Sequence, residues 1–426
     1  MSKPASLLTC LAVLAFTHPA LADWPQFRGP DGNGTAAEAS TPVKWSDSEN
    51  IVWKTPLSGR GASSPIVWGN RIFLTAYTGY GEDIDDLETP GNKSDLRLHV
   101  LGFERSTGKL LWDNEIPASE DTQDYSKRIA DHGYATGTPA TDGRAVYAYF
   151  GVSGLVAFDL HGKLLWRAET GSKTAGFGSA SSPVVYGDLV LINASIESGT
   201  MFAFDRKTGK EVWKTEPINR AWTSPCLVTA PDGSTELVLN HLDEVVGYDP
   251  QTGKKLWWCT AIDDYIVPVP ITHDGIVYCL GGRSNRSLAI KPGGRGDVTE
   301  THKLWQKSIG ANVTSPVYYD GHLYWASDKG VQCCLRASDG EEVYRERLPT
   351  SARIYASIIR AGKHFYVTTR DAGIVVLEAG PEYKEVATNV IASDETLVNA
   401  SPAVSGDQLL LRTDRFLYCV GETSAD

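Results

Sequence analysis

The stretch Ala203-Phe204-Asp205-Arg206-Lys207-Thr208-Gly209-Lys210-Glu211-Val212-Trp213 decides the fold. It reads as a strand, a polar turn and a return strand ending on a large aromatic. Phe202 and Phe204 alternate with other residues, as one face of a strand requires. Asp205 can hydrogen-bond its own turn backbone, and Gly209 supplies the positive φ at which the chain reverses. A lone hairpin of this kind is marginal in water, and the chain repeats it. Copies run from Phe103 to Trp112, Phe158 to Trp166 and Tyr248 to Trp257, with a stretched copy ending at Trp305. Weaker copies end at Glu342-Val343-Tyr344 and Glu385-Val386.

A second signature follows each return strand: Ser64-Pro65, Thr138-Pro139, Ser182-Pro183, Ser224-Pro225, Val267-Pro268, Ser315-Pro316, Ser357 without proline, and Ser401-Pro402. From Pro139 the prolines stand 44, 42, 43 and 48 residues apart, and the last gap of 86 is two units of 43. Self-similarity of this period means an array of supersecondary units. The unit at 183–214 breaks into four short segments: Pro183–Tyr186, Leu189–Asn193, Met201–Asp205 and Glu211–Lys214. Four strands per unit of about 40–50 residues is the pattern of a propeller blade. The last unit lacks its fourth strand, and Ile51-Val52-Trp53-Lys54-Thr55 resembles the other tryptophan strands. The expectation is therefore an all-β, eight-bladed propeller of four-stranded antiparallel blades, closed by an N-terminal strand at 51–57 so that no edge is left free. Residues 23–50 form an arm before it, and the propeller occupies 51–426.

Residues 1–22 read as a cleavable signal peptide: Lys3, an apolar run at Leu7–Phe16, and Ala20-Leu21-Ala22 as cleavage site. That run is too short to span a bilayer. The expectation is a periplasmic or secreted protein without a transmembrane segment, and a monomer. A net charge of −12 without a basic cluster argues against nucleic acid as partner. Cys226, Cys259, Cys279 and Cys419 fall in strand patterns and read as small buried hydrophobes. No His-Glu-x-x-His, P-loop or Gly-x-Ser-x-Gly motif occurs, and the nine histidines do not cluster at metal-ligand spacing. Asp83, Asp85, Asp86 and Glu88 form an acidic loop that reads as solvated or as a Ca²⁺ site, its spacing not that of an EF-hand.

Ala203–Trp213 matches the pattern Ala-x-Asp-x-x-Thr-Gly-x-x-x-Trp throughout, and the other copies match in part. The chain thus resembles the pyrroloquinoline-quinone-repeat family of bacterial β-propellers over roughly residues 24–421. The resemblance implies that Trp53, Trp112, Trp166, Trp213, Trp257 and Trp305 dock between neighbouring blades. It leaves function divided, because the family mixes quinoprotein dehydrogenases with non-enzymatic scaffolds such as the outer-membrane assembly propeller. In several dehydrogenases a Glu contacts the quinone just before the first Ser-Pro strand, where this chain has Gly59-Arg60-Gly61-Ala62. They also carry a disulfide between adjacent cysteines. Cys333-Cys334 matches in sequence, but it stands within a strand, where neighbouring side chains point to opposite faces.

The segments before the Ser-Pro strands should gather around the channel mouth. They offer Arg60, His132, Tyr134, Phe177, Ser179, Arg220, Trp222, Tyr265, Asn312, Arg353, Tyr355 and Asn399. Such a ring would bind a small anionic or planar ligand by charge-assisted bonds and stacking; otherwise each residue caps its own blade or lines a water-filled channel. The insert Asn114–Gly137 is expected to overhang this mouth as a polar lid. With no complete catalytic set, the favoured function is an exported, non-catalytic propeller that binds or scaffolds envelope proteins. The alternative is a small quinone-dependent dehydrogenase, using pyrroloquinoline quinone with Ca²⁺ at the channel mouth to oxidise alcohols or sugars. A glycan-binding or hydrolytic propeller is a third reading.

Overall fold

A computed structural model describes residues 23–83 and 86–423. The signal-peptide reading of residues 1–22, and Asp85 of the acidic loop, lie outside the described residues. The strands form eight sheets, each with a core of four antiparallel strands in meander order. Blade 3 consists of Val184–Tyr186, Leu189–Ala194, Thr200–Asp205 and Glu211–Thr215. The eighth blade takes Ala403–Ser405, Gln408–Arg412 and Phe416–Val420 from the end of the chain, and Ile51–Pro56 from its beginning as outer strand. This closure removes the free edge that an open ring would expose.

The core lies between blades. Along Leu189–Ala194, Val190 and Ile192 pack against blade 2 (residues 140–168), while Leu191 packs against blade 4 (residues 226–260). Period-two alternation thus serves two neighbours at once, so the middle strands are apolar on both faces. Cys333 and Cys334 obey the same rule: one packs with Trp325 towards blade 5 and the other with Tyr324 towards blade 7. The cysteines of the described residues are free.

The tryptophan of an outer strand closes the seam to the next blade. Trp166 Nε1 donates to Arg206 O at 3.0 Å, and its ring lies where a Cβ on Gly209 would fall 2.6 Å away. Trp53, Trp112, Trp213 and Trp305 repeat the arrangement on Arg105, Leu160, Pro250 and Ala337. Trp257 departs from it: its N–H goes to Glu236 Oε2 of its own blade at 2.7 Å. The insertion at 291–302 is the physical reason. Gly296–Asp297 pairs in parallel with Trp257–Trp258, while Gly293 N and Arg295 Nη1 also bind the Glu236 carboxylate.

The Ser-Pro signature builds an inner ring. Ser64 N donates to Thr138 Oγ1, Thr138 N to Ser182 Oγ, and Ser182 N to Ser224 Oγ. After a break, Val269 N donates to Ser315 Oγ, Ser315 N to Ser357 Oγ and Ser357 N to Ser401 Oγ. Each hydroxyl accepts the backbone N–H of the preceding blade. Inner strands pack too tightly for longer side chains, and each buried N–H still needs an acceptor. The ring corrects one assignment: Val269-Pro270, rather than Val267-Pro268, occupies the Ser-Pro position of blade 5, directly before the strand Ile271–His273.

The N-terminal arm crosses the far end of the channel. Trp24 bridges Val67 of blade 1, and the Thr35–Ala36 strand pairs with Arg360 and Ala361 of blade 7. Between them Arg28 is buried, its guanidinium donating to the carbonyls of Gly32, Asn33, Ser315, Pro316 and Ile358. Desolvation by burial lowers its pKa to about 9. Phe27 lines both the axial cavity and a second cavity of about 330 Å³ behind it. Its ring therefore stands where the two cavities adjoin.

Candidate functional site

The connections from outer strand to next inner strand all reach the axis, and the cavity between them has a volume of about 320 Å³. Its wall carries Phe177, Trp222, Tyr265 and Tyr355 as rings, Asp131 and Asp328 as carboxylates, His132, and Asn312 and Asn399. Ser64, Ser182, Ser224, Ser315, Ser357 and Ser401 of the Ser-Pro signature, and Phe27 of the arm, also line it. Of the residues singled out in the sequence, His132, Phe177, Trp222, Tyr265, Asn312, Tyr355 and Asn399 share this cavity.

Others do not line it. Arg60 turns away to Asp414, with Nη2 at 2.7 Å from Oδ2, and also donates to Glu82 O. Burial works against its charge, but the carboxylate outweighs that and raises its pKa. Tyr134 is packed against Tyr77, Tyr80 and Tyr125, its hydroxyl donating to Gln123 O. Burial, reinforced by those neighbouring tyrosines, pushes its pKa far up. Arg220 is exposed, with its backbone in the left-handed region at φ 35°. Arg353 lines a separate groove beside the mouth and donates to Tyr355 Oη at 3.3 Å. Ser179 faces the buried Glu197 in place of the axis. Sequence spacing placed these residues before the correct strands; Asp414 of blade 8 draws Arg60 off the axis, Glu197 of blade 3 draws Ser179, and the tyrosine cluster draws Tyr134.

The insert after blade 1 does reach across the axial cavity. Its short helix Lys127–Ala130 leads into Asp131, whose carboxylate pairs with Arg370 at 2.9 Å and whose carbonyl accepts Asn399 Nδ2 at 3.0 Å. Arg128 stacks over Phe177, 5.0 Å from the ring centre. His132 Nδ1 contacts Thr136 Oγ1 at 2.8 Å, and burial lowers its pKa, favouring the neutral imidazole. The acidic loop supports the insert from outside: Tyr125 donates to Asp83 O, and Lys93 pairs with Asp124 at 3.2 Å. Asp131, Asp328 and Arg370 were missed in the sequence. Asp328 and Arg370 follow the second strands of blades 6 and 7, not the connections that precede the Ser-Pro strands, and only the curvature of the ring brings them to the mouth.

The sequence profile of the family described as outer membrane protein assembly factor BamB matches residues 97–224, 197–296 and 295–416. The chain belongs to this family of PQQ-repeat propellers. Among curated relatives of this PQQ-repeat propeller, a tetrathionate hydrolase of Acidithiobacillus ferrooxidans is 22% identical over 353 residues, 75% of this chain and 65% of the relative. BamB of Bordetella pertussis is 29% identical over 117 residues, 28% of either chain. The match therefore spans less than two thirds of either relative's length. Among solved structures, BamB from Moraxella catarrhalis superimposes with a TM-score of 0.60 at 14% identity, covering 88% of this chain and 99% of that one. Quinohemoprotein alcohol dehydrogenase from Comamonas testosteroni gives 0.64 at 12% identity, covering 95% and 81%. At these identities the structural likeness establishes the fold alone.

Pyrroloquinoline quinone, after which the repeat is named, is a tricarboxylate; the cavity wall carries Asp131 and Asp328, with Arg370 paired to Asp131 and Arg128, Arg283 and Arg370 over the rings of Phe177, Tyr265 and Tyr355. Among the described residues no three His, Cys, Asp or Glu side chains come together as metal ligands. Cys333 and Cys334 lie in strand Val331–Arg336 of blade 6, away from the cavity wall.

Proposed function

We propose that this propeller is an exported, non-catalytic binding module of the cell envelope that holds one group of its partner in the axial cavity. The observation that supports it best is the axial cavity itself, lined by Phe27 of the arm, by the rings of Phe177, Trp222, Tyr265 and Tyr355, and by a few polar side chains such as Asp131, His132 and Asp328. Concave, mainly apolar sites with a few oriented polar groups are how proteins hold small groups. The signal-peptide pattern at 1–22 and the membership in a family described by an outer-membrane assembly factor support an envelope location.

Titration of the full chain with pyrroloquinoline quinone and Ca²⁺, followed by melting temperature and quinone absorbance, tests this against the dehydrogenase alternative. The expected result is no saturable change. Ligand at 100 times Kd would stabilise by about 2.7 kcal/mol, which a melting curve detects, and such a gain would overturn the reading. A hydrolytic second reading rests on the tetrathionate hydrolase likeness and on neutral His132 at the wall. Turnover of tetrathionate that is lost in His132→Gln would favour it.

A further inference from the structure

We propose that the inner strands of blades 3 and 4 take an extended segment of a partner protein by backbone pairing, at the end of the channel where the arm lies. An inner strand pairs with its own blade along one edge only, and alternate residues turn their N–H and C=O towards the channel. The residue that does so stands three positions after the inner-ring residue: Val67, Thr141, Thr272 and Arg360 in blades 1, 2, 5 and 7. The arm meets all four. Trp24 exchanges both backbone bonds with Val67, at 2.8 and 2.9 Å. Thr141 N donates to Pro25 O and Arg360 N to Gly34 O, each at 2.8 Å. At Thr272 the side-chain amide of Asn33 acts as a strand, donating to the carbonyl and accepting the N–H, both at 3.1 Å.

The same position in blades 3 and 4 is held by Val185 and Leu227. Val185 opposes Val190 and Leu227 opposes Leu237 in the register by which Arg360 opposes Phe365, so their N–H and C=O also point to the channel. The arm gives neither of them a backbone partner. Between Pro25 and Asn33 it folds instead into turns that bond to themselves, Gly29 N to Gln26 O and Gly32 N to Gly29 O. The cavity of about 330 Å³ lies between these turns and the inner strands of blades 3 and 4; Leu227 lines it, and Val185 and Leu227 are half-buried. An extended peptide is the ligand such an edge recognises, because it offers N–H and C=O at the spacing of a strand. The seat continues one already in use, since the arm pairs at the same position in blade 2 on one side and blade 5 on the other. Nothing in this assignment uses the axial cavity, so its failure leaves the reading of that cavity standing.

The test is hydrogen exchange of the full chain, read at single amides with and without a peptide. In the free protein the amides of Val185 and Leu227 should exchange faster than those of Val67, Thr272 and Arg360, which the arm holds. Equal protection would mean that the edge is already taken, and would overturn the proposal. The peptide is drawn from a library of capped tetrapeptides by affinity selection on the full chain. Its addition should slow exchange at Val185 or Leu227, and methylation of its backbone nitrogens should abolish the effect with every side chain unchanged. Leu227→Pro removes a channel-facing N–H and spares the ladder bonds of its neighbours, so binding should weaken roughly tenfold, while Leu227→Val retains it. Selection of no peptide, or equal binding of the methylated form, overturns the proposal. Protection that rises with protein concentration in the absence of peptide assigns the edge to a second copy of this chain, and the partner assignment falls. Melting curves of both variants separate lost binding from unfolding, and the methylated peptide decides the matter if Leu227→Pro does not fold.

Discussion

Substituting Gly209 with alanine tests whether the repeated glycine exists for its backbone angle or for the indole that rests on it. Gly209 has φ 70°, a region that costs an L-residue about 1–2 kcal/mol. A Cβ there would also stand 2.6 Å from Cδ2 and Cε3 of Trp166, whose indole cannot slide away without breaking its bond to Arg206 O. Overpacking of this kind costs typically about 1–3 kcal/mol, so Gly209→Ala should lose roughly 2–5 kcal/mol. Gly233 supplies the control. Its φ is 83° in an exposed turn with nothing within 4 Å of the new methyl, so Gly233→Ala should pay the backbone cost alone. For a propeller of about 400 residues, 1 kcal/mol moves the midpoint by roughly 1 °C. Scanning calorimetry should therefore place Gly209→Ala about 1–3 °C below Gly233→Ala. A Trp166→Ala background should abolish that difference, because the clash goes with the indole. Equal midpoints for the two glycine variants, or a difference that persists without Trp166, would refute the docking argument.

In the inner ring, Ser182→Ala leaves Thr138 N–H without its acceptor and should cost about 1–2 kcal/mol in urea unfolding. Val269→Thr places a hydroxyl where the ring is broken, and should gain about 0.5–1.5 kcal/mol relative to a Val→Thr change at the sealed position Val190. Burial raises the pKa of Glu197 above the usual carboxylate range, so the folded state binds its proton more tightly than the unfolded chain does. The stability that follows is present below the unfolded pKa and lost as pH rises through the folded one. Glu197→Gln should therefore become more stable relative to the parent between pH 4 and pH 7, as chemical denaturation at each pH would show. Arg28→Ala strands five carbonyls at the far end of the channel, and should release the arm to limited proteolysis at residues 23–50 before the blades unfold.

Much of the fold was legible because propeller blades are local objects. A strand, a turn with Asp205 and Gly209, and a return strand with Trp213 involve hydrogen bonds within about a dozen residues, so each copy carries its own signature. The missing strand of the last blade and the tryptophan strand at 51–56 together fixed the closure. What the Ser-Pro signature does was not legible, since its hydroxyls accept from a neighbouring blade about 45 residues away. The same distance hid the two-residue slip that makes Val269, and not Val267, the ring position of blade 5.

At the mouth the division runs between position and partner. The sequence by itself determined which segments face the axis, because the period of the repeat sets where each blade begins. Only the tertiary structure decided what those side chains meet there. Asp414 takes Arg60 and the tyrosine cluster takes Tyr134, while Asp131 reaches Arg370 from 239 residues away. Those pairings depend on two irregular inserts and on the curvature of a closed ring. Neither has a period, and electrostatic pairing across such separations leaves no pattern along the chain.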